Sequence, residues 1–148
     1  MLQPAIEILD NQRMMAISTV RPDGWPQTTI VGYANEGWRI YFAIFRSSQK
    51  FANIQRDDRV SIAVTSEPHS LGEIKAVYAG AHAAEVLDEK ERLLAWQLLT
   101  ERHPNLADFG PPGMSDEALM RADCKYVSML DYSKGIGHTE ALTVGETG

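Results

Sequence analysis

Five neighbouring residues, Arg46, Ser47, Ser48, Gln49 and Lys50, gather two cations, two hydroxyls and an amide at one point of the chain. They open the stretch RSSQKFANIQRDD, in which Phe51 and Ile54 read as the apolar side of a short helix over residues 48 to 57. Ser47 or Ser48 is a suitable N-cap. The peptide dipoles already make a helix start positive, so anions are favoured there by roughly 0.3–1 kcal/mol. This segment instead begins with Arg46 and Lys50 and ends with Asp57 and Asp58. Hydroxyls, cations and the free N–H groups of a first turn together suit a dianionic phosphate. The competing reading makes Arg46 and Lys50 solvated surface charges on a connector helix.

The segment DEKERLLAWQLLTERH serves as an internal control. Asp88 is its expected N-cap, with Glu91 three residues on in a variant of the capping box. Leu94, Ala95, Leu98 and Leu99 form its apolar stripe, Arg102 and His103 close it, and Pro104 stops it. Its acids come first and its cations last, as the dipole prefers.

Other reactive side chains offer less. His69, His82, His103 and His138 show no spacing of a metal site and read as loop or strand-surface residues. His138, in SKGIGHTE, is the one to watch, because a Gly-rich tail can fold over a cofactor and present a haem ligand. Cys124 has no identifiable base beside it and reads as structural. No P-loop, nucleophile elbow or dinucleotide fingerprint occurs.

The elements that must position residues 46–50 follow from periodicity. Residues 4–11 read as a leading helix, and RMMAISTV and QTTIVGYA as strands joined by the turn RPDGWP. NEG (35–37) is a tight connection with Gly37 at positive φ. WRIYFAIF alternates, with Trp38, Ile40, Phe42 and Ile44 on one face and Arg39, Tyr41, Ala43 and Phe45 on the other. RVSIAVTS follows the puzzling helix, then a long strand IKAVYAGAHAAEVL in which Gly80 marks either a bulge or a close approach of backbone to another group. Residues 104–122, including Pro111, Pro112 and Gly113, read as a long connection with one helical turn at 116–121. CKYVSMLDY is the last strand, and residues 133–148 are expected as a flexible tail. Six strands with few helices favour a mainly β, six-stranded antiparallel barrel in a single domain spanning 1–148.

Composition sets the frame. With 44% hydrophobic and 23% charged residues the chain is ordinary for a globular protein, and its net charge of −6 argues against general nucleic-acid binding. One cysteine fits a reducing, cytoplasmic location. No apolar run reaches the length of a membrane helix, and MLQPAIEILDNQ lacks a signal pattern, so no membrane role is expected.

Taken together, the stretches PQTTIVGY, WRIYFAIF, SSQKFANIQRDDRVSIAV, YAGAHAAEV and YVSMLDYSKGIG resemble the pyridoxamine 5′-phosphate oxidase-like family, the FMN-binding split β-barrels. The serine–lysine segment, with Ser48, Lys50, Phe51, Asn53, Ile54 and Val60, carries most of the resemblance, which covers most of residues 8–138. The resemblance implies that Ser48 and Lys50 hold the FMN phosphate with help from Ser47 or Arg46. It also implies that Thr28, Thr29, Ile30 and Val31 run beside the flavin, partly through backbone contacts. A homodimer with the cofactor at its interface, acting as an oxidoreductase on a small molecule, is the implied assembly. Relatives of the fold bind deazaflavin F420 or haem instead, and a carrier or sensor role is the non-catalytic alternative. The chain departs from the vitamin B6 oxidases in having Gln49 between Ser48 and Lys50, Thr29 in place of a basic residue, and no Arg- and Trp-containing segment after Tyr132.

Overall fold

The computed structural model describes residues 2–109 and 116–145. Helix α1 (Gln3–Asn11) opens with a proline in its first turn, where a missing N–H costs nothing, and buries Ala5, Ile8 and Leu9. Strands β1 (Met14–Val20), β2 (Pro26–Gly32), β3 (Ala34–Glu36) and β4 (Arg39–Phe45) lead to helix α2 (Gln49–Arg56). Then come β5 (Arg59–Thr65), β6 (Lys75–Glu85), helix α3 (Glu89–Arg102), β7 (Glu117–Asp131) and β8 (Thr139–Thr143).

All the strands belong to one antiparallel sheet in the order β2-β1-β5-β6-β7-β4-β3, with β8 paired to the second half of β7. The two ends of this sheet, β2 and β3, are separated in the chain by Tyr33 alone. One residue cannot span an open sheet, so the sheet must curl back on itself. The result is a split β-barrel, joined at Tyr33 and open along the rest of β2. Tyr33 is fully buried, and its hydroxyl donates to the Leu9 carbonyl at 2.7 Å.

Alternation fills the interior. Met15 and Ile17 of β1, Ile40, Phe42 and Ile44 of β4, and Val60, Ile62 and Val64 of β5 share one core with residues of β6 and β7. Tyr41, on the opposite face of β4, packs with Val86, Leu119 and, from α3, Ala95 and Leu99 in a second cluster. The predicted division of faces on β4 therefore holds, and each face has its own core. Gly37 lies at φ 60° as expected, and the bulge falls between Gly80 and Ala81.

Several expectations need correction. Among the described residues the sheet has eight strands rather than six. Asn35 and Glu36 are not a connection but part of β3, a three-residue strand hidden in the continuous run from β2. Residues 116–121 form no helical turn: β7 begins at Glu117 and pairs with β4 on one side and β6 on the other. Ala118, Leu119 and Met120 are good helix formers, but two flanking strands override that local preference. Within the supposed tail, β8 forms five pairs with β7. Pro111, Pro112 and Gly113 lie outside the described residues.

Candidate functional site

The start of α2 is built by Ser48. Its backbone is extended, its Oγ accepts from the Phe51 N–H at 3.2 Å and donates to the Phe45 carbonyl at 2.6 Å. Of the two candidate caps, Ser48 is therefore the one used, and its hydroxyl proton is committed within the turn. The helix stops at Arg56, before both aspartates. Asp57 is the C-cap, and its carboxylate takes the Arg59 guanidinium at 2.8 and 3.0 Å. Those bonds, with the Arg59 N–H, hold the Asp57 carboxyl down to about 2. Asp58 pairs with His82 Nδ1 at 3.0 Å. Arg56, in the last turn, donates to the carbonyls of Val20 and Arg21. The apparent charge inversion at this end thus reflects where the helix ends. At the other end it is real, for the first turn of α2 contains no acid.

Groups around that first turn are unequally engaged. Arg46 is ion-paired with Glu85 of β6, although a guanidinium has further N–H donors to offer. The Ser47 N–H donates to the Asp116 carboxylate at 3.2 Å. Gln49 spends its carboxamide N–H on Asn53 Oδ1 at 2.8 Å. The Lys50 ammonium and the Ser47 hydroxyl have no bonded partner among the described residues. Beside them the N–H groups of Gln49 and Lys50 precede the helical ladder.

Strand β2 carries the other candidate residues, Thr28 to Val31. It ends the sheet, so one of its edges pairs with β1 and the other has no partner strand among the described residues. Along that edge backbone donors and acceptors remain available. Thr28 and Ile30 face outward: Thr28 Oγ1 lies 2.7 Å from Ser18 Oγ, and Ile30 is 64% exposed. Thr29 and Val31 face the other way, where Val31 packs against the core and Thr29 Oγ1 is buried with no hydrogen-bond partner. Such orphaned hydroxyls are uncommon in folded proteins.

Asn53 joins α2 to β2. Fully buried, it donates from Nδ2 to Thr19 Oγ1 at 2.9 Å and to Gln27 Oε1 at 3.0 Å. The helix carrying residues 48–50 is thereby fixed to the strand carrying Thr28–Val31. Sequence reasoning placed Asn53 in the motif but did not see this tether. The available signal was a polar residue between Phe51 and Ile54, on the side of the helix that turns inward.

The remaining candidates stay apart from this site. Burial pushes the Cys124 thiol up to about 12, which removes it as a nucleophile. His138 lies on the turn before β8, its Nε2 buried without a hydrogen bond and 3.6 Å from Glu140. His103 faces the Tyr33 carbonyl at 2.9 Å as part of the end of α3. Among the described residues no group of three His, Cys, Asp or Glu side chains is arranged to hold a metal ion. Nor is any described helix long and apolar enough to cross a membrane.

A curled antiparallel sheet, closed between its ends at Tyr33 and flanked by helices, defines the class as a split β-barrel. The sequence matches the pyridoxamine 5′-phosphate oxidase family over residues 2–131, and the chain belongs to that family. Among solved structures it is similar to a haem-binding protein from Mycobacterium smegmatis, with TM-score 0.81 and 18% identity. That alignment covers 94% of this chain but only 56% of the other, so this chain spans little more than half of that protein. It is also similar to an FAD-binding protein from Mesorhizobium loti (TM-score 0.71, 19% identity, covering 87% of this chain and 93% of that one). A third likeness is to Campylobacter jejuni ChuZ (TM-score 0.80, 15% identity, covering 97% and 59%). At these identities the likeness is one of fold. Among curated proteins no sequence matches.

Proposed function

We propose that the protein binds FMN, with the phosphate at the start of α2 and the flavin ring along the free edge of β2. The observation that carries this reading is the pairing of an acid-free helix start with an unpartnered strand edge, locked together through Asn53. Lys50, the Ser47 hydroxyl and the first-turn N–H groups are all donors, as a phosphate requires. Ser48 contributes by capping the turn that displays them, and Arg46 with the donors left over from Glu85. The edge of β2 at Thr28, Thr29, Ile30 and Val31 offers backbone groups for the polar rim of the flavin. Haem carries propionate carboxylates rather than a phosphate, and the haem-binding protein resembles this chain in fold alone.

Bound FMN supplies hydride or electron transfer, while the chain supplies binding, orientation and exclusion of water. On this reading the protein is a cytoplasmic oxidoreductase acting on a small molecule, as a homodimer with the cofactor at the interface. Exposed Trp25, Phe45 and Tyr126 are suited to such a contact.

The first experiment is the visible spectrum of the purified protein, with mass analysis of any released chromophore. Released FMN supports the reading; a Soret band or a deazaflavin overturns the cofactor. A colourless protein that also fails to take up FMN returns Arg46 and Lys50 to the role of surface charges. Lys50→Ala should weaken FMN binding about tenfold or more, since hydrogen bonds to charged groups are worth about 1.5–3 kcal/mol. Its unfolding midpoint should stay unchanged. Reduction of the bound flavin by NAD(P)H, with turnover on an acceptor, separates an oxidoreductase from a carrier, and sedimentation tests the dimer.

A further inference from the structure

Outward-facing residues of four adjacent strands line up in register: Ile30 opposite Ala16, Ala16 opposite Ala63, and Ala63 opposite Tyr78. The two alanines are small and the two end residues large and exposed, Ile30 at 64% and Tyr78 at 43%. With strands ~4.8 Å apart, the row makes a trough ~14 Å from end to end. All four residues line one cavity of about 620 Å³, a size suited to a small ligand. Met14, half exposed, forms part of its wall.

The charge of the lining is one-sided. Its thirteen residues include one cation, Arg13, and no carboxylate, in a chain of net charge −6. Arg13 is exposed, and its side chain has no ion-pair or hydrogen-bond partner among the described residues. The Tyr78 hydroxyl and the Gln12 carboxamide are likewise without side-chain partners among the described residues. A flat apolar trough with one uncommitted guanidinium complements a flat apolar molecule with one negative group.

We infer that this cavity is the substrate site and that it takes an aromatic or alicyclic monocarboxylate, with its ring over Ala16 and Ala63 and its carboxylate at Arg13. Assignment of the ligand as the substrate rests on the FMN reading, because Ile30 belongs both to the cavity and to the strand along which the flavin is placed. A ring in the trough then lies beside the cofactor edge.

The test is equilibrium binding of 2-naphthoate and of uncharged 2-naphthylmethanol to the full chain in its native oligomeric state. Naphthoate should bind saturably and about tenfold tighter than the alcohol, the difference expected of one charge-assisted hydrogen bond. Arg13→Gln should abolish that preference while leaving the alcohol's affinity unchanged, and Ala63→Leu should weaken both ligands by filling the trough. Absence of saturable binding, equal affinity for the two ligands, or a preference that survives Arg13→Gln would overturn the inference. So would naphthoate binding only to a dissociated monomer, which would show that a second copy covers the face. In protein loaded with FMN, naphthoate should shift the visible flavin band. If FMN binds and naphthoate does not, the trough alone is wrong. If naphthoate binds with the stated preference but FMN does not, the trough stands as a carboxylate site and its substrate role fails with the cofactor.

Discussion

Helices α2 and α3 begin in the same way and are then used differently. Each has a side-chain cap at the same spacing, Ser48 to the Phe51 N–H and Asp88 to the Glu91 N–H. The first turn of α3 continues with Glu89 and Glu91, which suit the helix dipole. Glu91 is then consumed by the fold: it accepts from Arg121 at 2.6 Å, from the Tyr41 hydroxyl at 2.9 Å and from Arg39 at 3.4 Å. That partly buried carboxylate is met three times from inside the molecule, and α3 is clamped through it to β4 and β7. At α2 the first turn has Lys50 and no acid, and beyond the capped Phe51 N–H its Gln49 and Lys50 N–H groups and the Lys50 ammonium have no partner among the described residues. The same local device thus closes a structure in one place and, on the FMN reading, receives a phosphate in the other.

Four substitutions would break or sharpen this contrast. Asn53→Ala should have the largest effect, about 3 kcal/mol of stability, because it opens a cavity and strips Thr19 and Gln27 of a buried donor. Denaturant unfolding would measure the loss, and FMN affinity should fall with it as β2 and α2 lose their common anchor. Glu91→Ala should cost about 2 kcal/mol by leaving Arg121, Arg39 and Tyr41 without their shared acceptor. Here FMN affinity should not change; a parallel loss would mean that the α3 clamp also shapes the site. Ser48→Ala removes the cap of α2 and should cost about 1 kcal/mol, with a modest loss of FMN affinity from the loosened turn. The smallest change, Lys50→Glu, is the most diagnostic. It gives α2 the acid that α3 already has and should raise stability by about 0.5 kcal/mol while abolishing FMN binding. A variant that is less stable, or that still binds FMN, would remove the distinction between the two helices.

Legibility in the sequence differed by element. The capping of both helices, the two faces of β4, the turn at Gly37 and the bulge after Gly80 could all be read, since each depends on residues close in the chain. The residues of the candidate site were found as types, but their state was not. Nothing local shows that Arg46 meets Glu85, thirty-nine positions away, or that Ser47 meets Asp116. The start of β7 reads in the sequence as the end of a long connection with a helical turn at 116–121, and strand β8 is hidden among the glycines of the tail. Both exist because partners already in the sheet offer them hydrogen bonds and burial.

The sequence by itself determined the acid-free, capped start of α2, the alternation that gives each strand a buried face, and the donors a phosphate would meet. These follow from hydrogen bonds and periodicities spanning a few residues. Only the tertiary structure decided that the sheet curls shut at Tyr33, that β2 is left with a free edge, and that Asn53 brings this edge to the helix. Those features depend on which distant strands pair and on what their pairing buries, and no short window of residues contains that information.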